Sequence, residues 1–287
     1  MLSYRHVYHA GNYADVLKHI VWQQVLLHLN RKDKPYCVVD THSGAGMYQL
    51  AAAEAQKTAE YQDGVAKLFA RGDMPDTVAE YVAAITELNG GDALSYYPGS
   101  PWLTAQALRD ADRAWLCELH PQDFPLLLQT LRDAGTHPRR VKALKEDGFQ
   151  TLIAKLPPAE KRGAVLIDPS YEIKADYQRV IEVVKQAYKR FATGTYVLWY
   201  PVVDRRRIKQ MIAGLMDSNI RNIHQFELAI QSDSRQAQSG SGMTASGVFV
   251  INPPWTLAAQ MQQTLPWLAE SIAGIDGRWL CEELVPE

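Results

Sequence analysis

Apolar residues in this chain fall into short unbroken runs separated by longer periodic stretches. The runs Tyr36-Cys37-Val38-Val39, Ala114-Trp115-Leu116-Cys117, Ala164-Val165-Leu166-Ile167 and 195–200 predict strands buried on both faces, the habit of parallel sheet. Val141-Lys142-Ala143-Leu144 is a shorter strand of the same kind. Helical periodicity occupies 14–30, where Val16, Leu17, Ile20, Val21 and Leu27 approximate one face, and also 123–134 and 177–191. Two more strands, 222–230 and 247–251, flank a Ser/Gly/Gln-rich stretch, and a helix over 257–272 is expected to close the domain. Strands alternating with helices and ending in an antiparallel pair predict an α/β, doubly wound, Rossmann-like sheet of seven strands with the last one antiparallel.

Residues 50–97 interrupt this alternation. They are alanine-rich, helical in pattern and broken by Gly72, Pro75 and Gly90-Gly91, so the main domain is expected at 1–49 and 98–287 with an inserted helical subdomain at 50–97. Ser100-Pro101 then reads as an N-cap followed by a first-turn proline, which would start the helix that normally follows the first strand directly.

Composition narrows the class without choosing a function. At 287 residues, 47 % hydrophobic and 22 % charged, the chain can build one large core. No apolar run approaches the roughly 18 residues needed to cross a bilayer, and the N-terminus lacks an apolar leader core, so a cytoplasmic protein is expected. Three cysteines and eight histidines show no metal-ligand spacing, so no metal is expected. A net charge of −2 gives no general attraction to nucleic acid, so any such role must rest on local patches.

The candidate chemistry sits at the predicted strand ends. Asp40-Thr41-His42-Ser43-Gly44-Ala45-Gly46 follows the first strand, but Gln49 stands where a dinucleotide fingerprint needs its third glycine. An acid with a short glycine loop suits S-adenosylmethionine better than NAD; a plain tight turn is the alternative. Glu118 ends the second strand, where a carboxylate can accept from ribose hydroxyls. Asp147-Gly148 is a turn that could meet an adenine amino group or be an ordinary surface turn. Arg205, Arg206 and Arg207 in the first turn of a helix oppose its dipole, which suggests an external phosphate; a solvated basic helix end is the alternative. Lys18 and His19 near the start of the first helix read equally as solvated polar residues or as part of a site.

Asp168-Pro169-Ser170-Tyr171 follows the most apolar strand and has the order used for methylating exocyclic amino groups. The Asp168 carboxylate and the Pro169 carbonyl could each accept one N6–H of an adenine, with Tyr171 stacked on the base, and the substrate base would have to leave its own stack. Asn252-Pro253-Pro254-Trp255 matches the same signature letter by letter. Ligands of open α/β sheets bind outside the carboxyl ends of the parallel strands, and an antiparallel last strand would put Asn252 at the opposite edge.

With these residues placed, the chain resembles the RlmJ family of 23S ribosomal RNA adenine-N6 methyltransferases over essentially its full length. The resemblance rests on Met1-Leu2-Ser3-Tyr4-Arg5-His6, Ala10-Gly11-Asn12, Ala14-Asp15-Val16-Leu17-Lys18-His19, Asp40-Thr41-His42, Tyr97-Pro98-Gly99-Ser100-Pro101, Glu118-Leu119-His120-Pro121, Asp147-Gly148-Phe149 and Met243-Thr244-Ala245-Ser246-Gly247. It implies a class I methyltransferase fold with a helical insertion and S-adenosylmethionine contacts at His19, His42, Ser100, Glu118, Asp147 and Gly148. Lys18 joins His19 on the same grounds. Asp168 would be catalytic, Tyr4 would lie on the substrate side, and the target would be one adenine of 23S rRNA; apart from the resemblance, a monomer is expected. The family pattern is Asp-Pro-Pro-Tyr, so Ser170 is a departure that frees a backbone angle a second proline would fix. A DNA adenine-N6 methyltransferase, or a noncatalytic nucleic-acid-binding protein used in DNA utilisation, would share these features.

Overall fold

A computed structural model describes residues 4–232 and 242–287. Most of the stretch expected to form a long polar loop, 233–241, and the first three residues of the quoted N-terminal motif lie outside the described residues.

Eight strands form one sheet. Its parallel part is β1 (Cys37–Asp40), β4 (Arg113–Cys117), β5 (Val141–Leu144), β6 (Gly163–Ile167) and β7 (Thr195–Val202). The next strands, β8 (Ile223–Ala229) and β9 (Ala245–Ile251), complete the expected seven, with β9 antiparallel to both β7 and β8. Every residue of β1, β6 and β9 is buried, as their unbroken apolar runs require.

An eighth strand, β10 (Arg278–Val285), corrects the expected end of the domain. The last long helix stops at Leu268, a single π-helical turn follows over Ala269–Ala273, and the chain returns antiparallel along β8. The spatial order is therefore β10-β8-β9-β7-β6-β1-β4-β5. The edge position of β10 explains why its sequence shows no strand pattern: Glu282 and Glu283 are exposed side by side.

Helices cover both faces. The first, α1 (Tyr13–Asn30), is buried nearly all round, so it has no polar face; Leu27, expected on its apolar face, is 39 % exposed. Asn12 caps it, its side-chain oxygen accepting from the Asp15 amide. The interruption begins at β2 (Met47–Gln49), runs through α2 (Ala53–Thr58), α3 (Val65–Leu68) and α4 (Asp76–Asn89), and returns through β3 (Tyr96–Pro98). Because β2 and β3 pair antiparallel, with Met47 opposite Pro98, the chain comes back to the point it left. The Gly99 amide donates to the Gly46 carbonyl at 2.8 Å, so α5 (Ser100–Ala107) starts beside the loop after β1. Val65, Leu68, Val78, Tyr81 and Ile85 of the interruption pack into the same core as α1.

The remaining helices are α6 (Asp123–Asp133), α7 (Gly148–Lys155), α8 (Asp176–Arg190), α9 (Arg205–Met216) and α10 (Leu257–Leu268). Among the described residues no helix is long and apolar enough to cross a membrane.

Candidate active site

The carboxyl ends of β1, β4, β5, β6 and β7 open on a cavity of about 1000 Å³. Lys18, His19, His42, Gly44, Ser100, Glu118, Asp147, Gly148, Asp168, Pro169, Tyr171 and Tyr4 all line it, although they come from widely separated parts of the sequence. Asn252 does not; it follows β9 at the other edge of the sheet, as strand direction predicts.

On the β1–β4 side the loop geometry is set by the backbone. Gly44 has φ +61°, and a side chain there would put its Cβ 2.3 Å from the Tyr48 hydroxyl oxygen. The Gly44 amide donates to Glu118 Oε2 at 2.7 Å and the His120 amide to Oε1 at 2.6 Å. Each carboxylate oxygen keeps a lone-pair site for a further donor. Burial raises the Glu118 carboxyl, and these two amides oppose the shift.

Asp40 lies just beneath. It is fully buried, and burial pushes its carboxyl up to about 7 although the Ser100 hydroxyl donates to it at 2.6 Å. Ser100 is therefore not the helix cap expected of it. Gly99 takes that position, and the serine side chain serves Asp40 instead.

Asp147 is likewise not a plain turn. Its Oδ1 accepts from the Phe149 and Gln150 amides and caps α7, a helix whose short apolar pattern the sequence does not advertise. Its Oδ2 pairs with Arg179 at 2.9 Å. Gly148 is required by close packing: a Cβ would sit 1.8 Å from the Thr41 carbonyl oxygen.

Two histidines face this side in neutral form. Burial lowers His19 to about 3 and His42 to about 4. The His19 Nδ1 is 2.8 Å from the Tyr97 hydroxyl, which in turn meets Tyr81 at 2.6 Å. His42 packs against the Phe149 ring edge, and its Nδ1 is 2.8 Å from the Thr41 hydroxyl.

The β6 side carries a buried chain of charges. Lys18 Nζ donates to Asp168 Oδ2 at 2.5 Å and pairs with Asp15 Oδ1 at 2.9 Å. Asp15 Oδ2 is 2.8 Å from His6 Nε2, and His6 Nδ1 is 2.8 Å from the Tyr4 hydroxyl. An ionised carboxylate only accepts, so His6 carries a proton on Nε2. Burial alone would raise the Asp15 carboxyl; His6 and Lys18 hold it well below the ordinary range. Burial raises Asp168, with Lys18 opposing. Its second oxygen, Oδ1, makes no hydrogen bond among the described residues and lies in the wall of the cavity.

Tyr171 sits at φ +55°, its ring packed on Tyr177 and Trp199 and its hydroxyl donating to the Trp199 carbonyl at 2.6 Å. A left-handed tyrosine is strained, and its anchors on β7 hold it there.

A family model described as "RsmJ: Ribosomal RNA large subunit methyltransferase D, RlmJ" matches residues 33–285. The chain belongs to this family. It is 48 % identical over the whole of both chains to the ribosomal RNA large subunit methyltransferase J of Haemophilus influenzae, and equally to that of Escherichia coli. A crystal structure of the Legionella pneumophila protein LPL1258 superposes with a TM-score of 0.86 at 36 % identity, covering 96 % of this chain and 98 % of that one.

The three arginines separate within this family site. Arg205 turns away and binds both oxygens of Glu227 at 2.8 Å. Arg206 pairs with Asp204, the α9 cap, yet stays 88 % exposed. Only Arg207 lines the cavity, its guanidinium 5.4 Å from the Tyr177 ring centre. Asp15, Arg179 and Trp199 are site residues that the sequence did not single out. One signal was available: Asp15 and Lys18 are spaced i,i+3 and so share a helix face.

The donor set fits S-adenosylmethionine. Glu118 offers two acceptors where ribose hydroxyls would lie, and the Gly44 loop lets the backbone approach closely. Asp40, expected among the cofactor contacts, does not line the cavity: it is buried beneath it, with Oδ2 accepting from Ser100 and Oδ1 from the His42 amide.

Proposed function

We propose that this protein transfers a methyl group from S-adenosylmethionine to N6 of an adenine in 23S ribosomal RNA. The observation that carries the proposal is Asp168: one carboxylate oxygen is fixed by Lys18, and the other opens into the cavity that also holds Glu118. Glu118, with His19, His42, Ser100, Asp147 and Gly148 around it, would hold the cofactor.

When bound, S-adenosylmethionine supplies an already activated methyl group. The chain's own task is then to shape the nucleophile. An adenine N6 lone pair is delocalised into the ring and reacts poorly. Asp168 Oδ1 and the Pro169 carbonyl can accept its two N–H groups, favouring a tetrahedral nitrogen with the lone pair free of the ring. Lys18 opposes the rise that burial imposes on the Asp168 carboxyl and fixes its orientation, which favours the acceptor form. After transfer the nitrogen carries one surplus proton, which Asp168 can take and pass to water. The base must first leave its stack, so Tyr171 and Trp199 provide the aromatic wall that replaces it.

A monomeric, cytoplasmic protein is part of the same proposal, the location being where an rRNA substrate would be met. The test is methyl transfer to 23S rRNA fragments against single-stranded DNA of the same sequence, with mass mapping of N6-methyladenine in rRNA from cells with and without the protein. Loss of one 23S methyladenine on deletion supports the proposal. Equal transfer to DNA, or an unchanged rRNA map, would overturn it.

A further inference from the structure

The two sides of the cavity rim use their charged side chains differently. The insertion contributes Thr58, Glu60 and Asp63 to the lining. On the opposite side, the segment leading into α8 and the first turns of α8 and α9 contribute Lys174, Arg179 and Arg207. Lys174 is exposed and has no side-chain partner among the described residues. Its carbonyl accepts from Arg207, which ties the two segments into one ledge, with Arg206 on the outer face. Two apolar side chains stand out from the same ledge and also line the cavity: Ile173 at 60 % exposure and Val203 at 51 %.

Acids also occur on this side; Asp176 is buried in the cavity wall, and the others are engaged. Asp204 caps α9 and pairs with Arg206, Asp147 pairs with Arg179, and the Glu172 carboxylate accepts from the Tyr4 amide at 3.1 Å. The cations of the insertion side near the mouth are spent differently. Lys57 lies 5.9 Å from the Tyr8 ring centre, and Lys67 binds Asp63 and the Ile272 carbonyl.

We propose that the RNA strand flanking the target base runs along this α8–α9 ledge rather than over the insertion. Phosphates meet Lys174, Arg206 and Arg207, and the neighbouring bases lie on Ile173 and Val203. Three observations converge on that occupant. The ledge is continuous with the cavity that holds Asp168. Its exposed cations, Lys174 and Arg206, can meet a polyanion, whereas the cations of the opposite rim are spent on Glu60, Asp63 and the Tyr8 ring. Apolar side chains interleaved with cations suit unstacked bases better than a duplex, whose bases are covered. The proposal rests on RNA being the substrate, and it assigns the insertion no backbone contact at the cavity mouth.

The test uses the full chain and a 23S rRNA fragment, comparing wild type with a Lys174→Glu, Arg206→Gln double variant. Both positions are exposed, and thermal melting checks that the fold is kept. RNA binding without cofactor is expected to weaken about tenfold, and its log–log salt slope to become shallower by about 0.7 for each phosphate no longer neutralised. The KM for RNA should rise with it, while S-adenosylmethionine binding stays within about twofold. Lys57→Glu on the opposite rim should leave RNA binding within about twofold. Unchanged binding in the double variant, an equal weakening in Lys57→Glu, or no RNA binding by the wild type would overturn the path. If the fragment binds as described but receives no methyl group, the catalytic proposal fails and the path stands.

Discussion

Asp168-Pro169-Ser170-Tyr171 and Asn252-Pro253-Pro254-Trp255 share a signature and differ in almost every physical respect. Both follow a fully buried strand, and each contains a left-handed residue, Tyr171 at φ +55° and Asn252 at φ +51°. At the opposite edge the polar atoms of Asn252 are used to hold the chain together. Its side-chain amide donates to the Ala192 and Gly194 carbonyls at 2.8 Å each, its own carbonyl accepts from Thr195, and its backbone amide donates to the Asn222 carbonyl. Its aromatic, Trp255, is 80 % exposed. At the catalytic edge the aromatic is 6 % exposed and one carboxylate oxygen is kept for a partner the chain does not supply. One turn is tied into the chain, and the other leaves an acceptor at the cavity, as the proposed catalytic role requires. Strand direction, not the letters, separates them.

The sharpest way to break this comparison is to exchange the expected losses. Asp168→Asn should lower kcat by roughly 10²- to 10⁴-fold, while S-adenosylmethionine binding by calorimetry stays within about threefold. Asn252→Ala should leave kcat within about twofold and lower folding stability by ~1–3 kcal/mol, through missing hydrogen bonds and a left-handed position that alanine tolerates poorly. Transfer retained in the first, or abolished in the second, would put the active site at the wrong edge.

Lys18→Met probes the charge chain behind Asp168. The proposed transfer requires Asp168 as a carboxylate; burial raises its carboxyl and Lys18 opposes that rise. Without Lys18 the carboxyl rises further, so the acid limb of the kcat–pH profile should move to higher pH. The rate at neutral pH should fall about 10- to 100-fold, with partial recovery as pH increases. A uniform loss with an unmoved limb would mean that Lys18 acts only in packing.

Much of this was legible in the sequence, for identifiable reasons. Unbroken apolar runs marked the parallel strands because both faces of that sheet are covered, and the acids at their ends marked the ligand edge. The exposed edge strand β10 left no such mark. Nor did α7, eight residues long and started by an Asp147 that could equally have been a surface turn. The Asp15–Lys18–Asp168 chain was hidden for another reason: it joins residues 150 positions apart, and only packing α1 against the sheet brings them together. The arginine triplet looked uniform as letters. Its members diverge because successive helical residues point about 100° apart, one towards Glu227, one to solvent and one to the cavity.

A smaller effect sharpens the contrast in stability. Asp40 has a folded value of about 7, raised by burial above its ordinary value. The native state therefore binds an additional proton between about pH 4 and 7, and this group's contribution to stability falls as pH rises through that window. Asp40→Asn removes the titration. Without cofactor, the stability gain of the variant over wild type should grow from pH 4 to pH 8, reaching ~1–3 kcal/mol by denaturant melts. Parallel pH curves would show that Asp40 is no burden on the catalytic edge. No comparable titration is expected of the Asn252 turn, whose polar side chain has no ionisable group.

Ser170→Pro should have the smallest effect, and it asks whether the two turns can be made alike without changing either role. Neither the Ser170 amide nor its hydroxyl makes a hydrogen bond among the described residues, so a proline there removes no bond. The ring would fix φ at position 170 and bias Pro169 towards extended backbone. The Pro169 carbonyl, proposed as the second acceptor, would then be held more firmly between Asp168 and Tyr171. The expected result is a rise in kcat of about two- to threefold from a better positioned acceptor, with cofactor affinity unchanged. Single-turnover methyl transfer measures it directly, free of product release. An unchanged rate would mean that the Tyr171–Trp199 hydrogen bond and the Lys18 ion pair already hold the turn, and that Ser170 is as well preorganised as the second proline at 254.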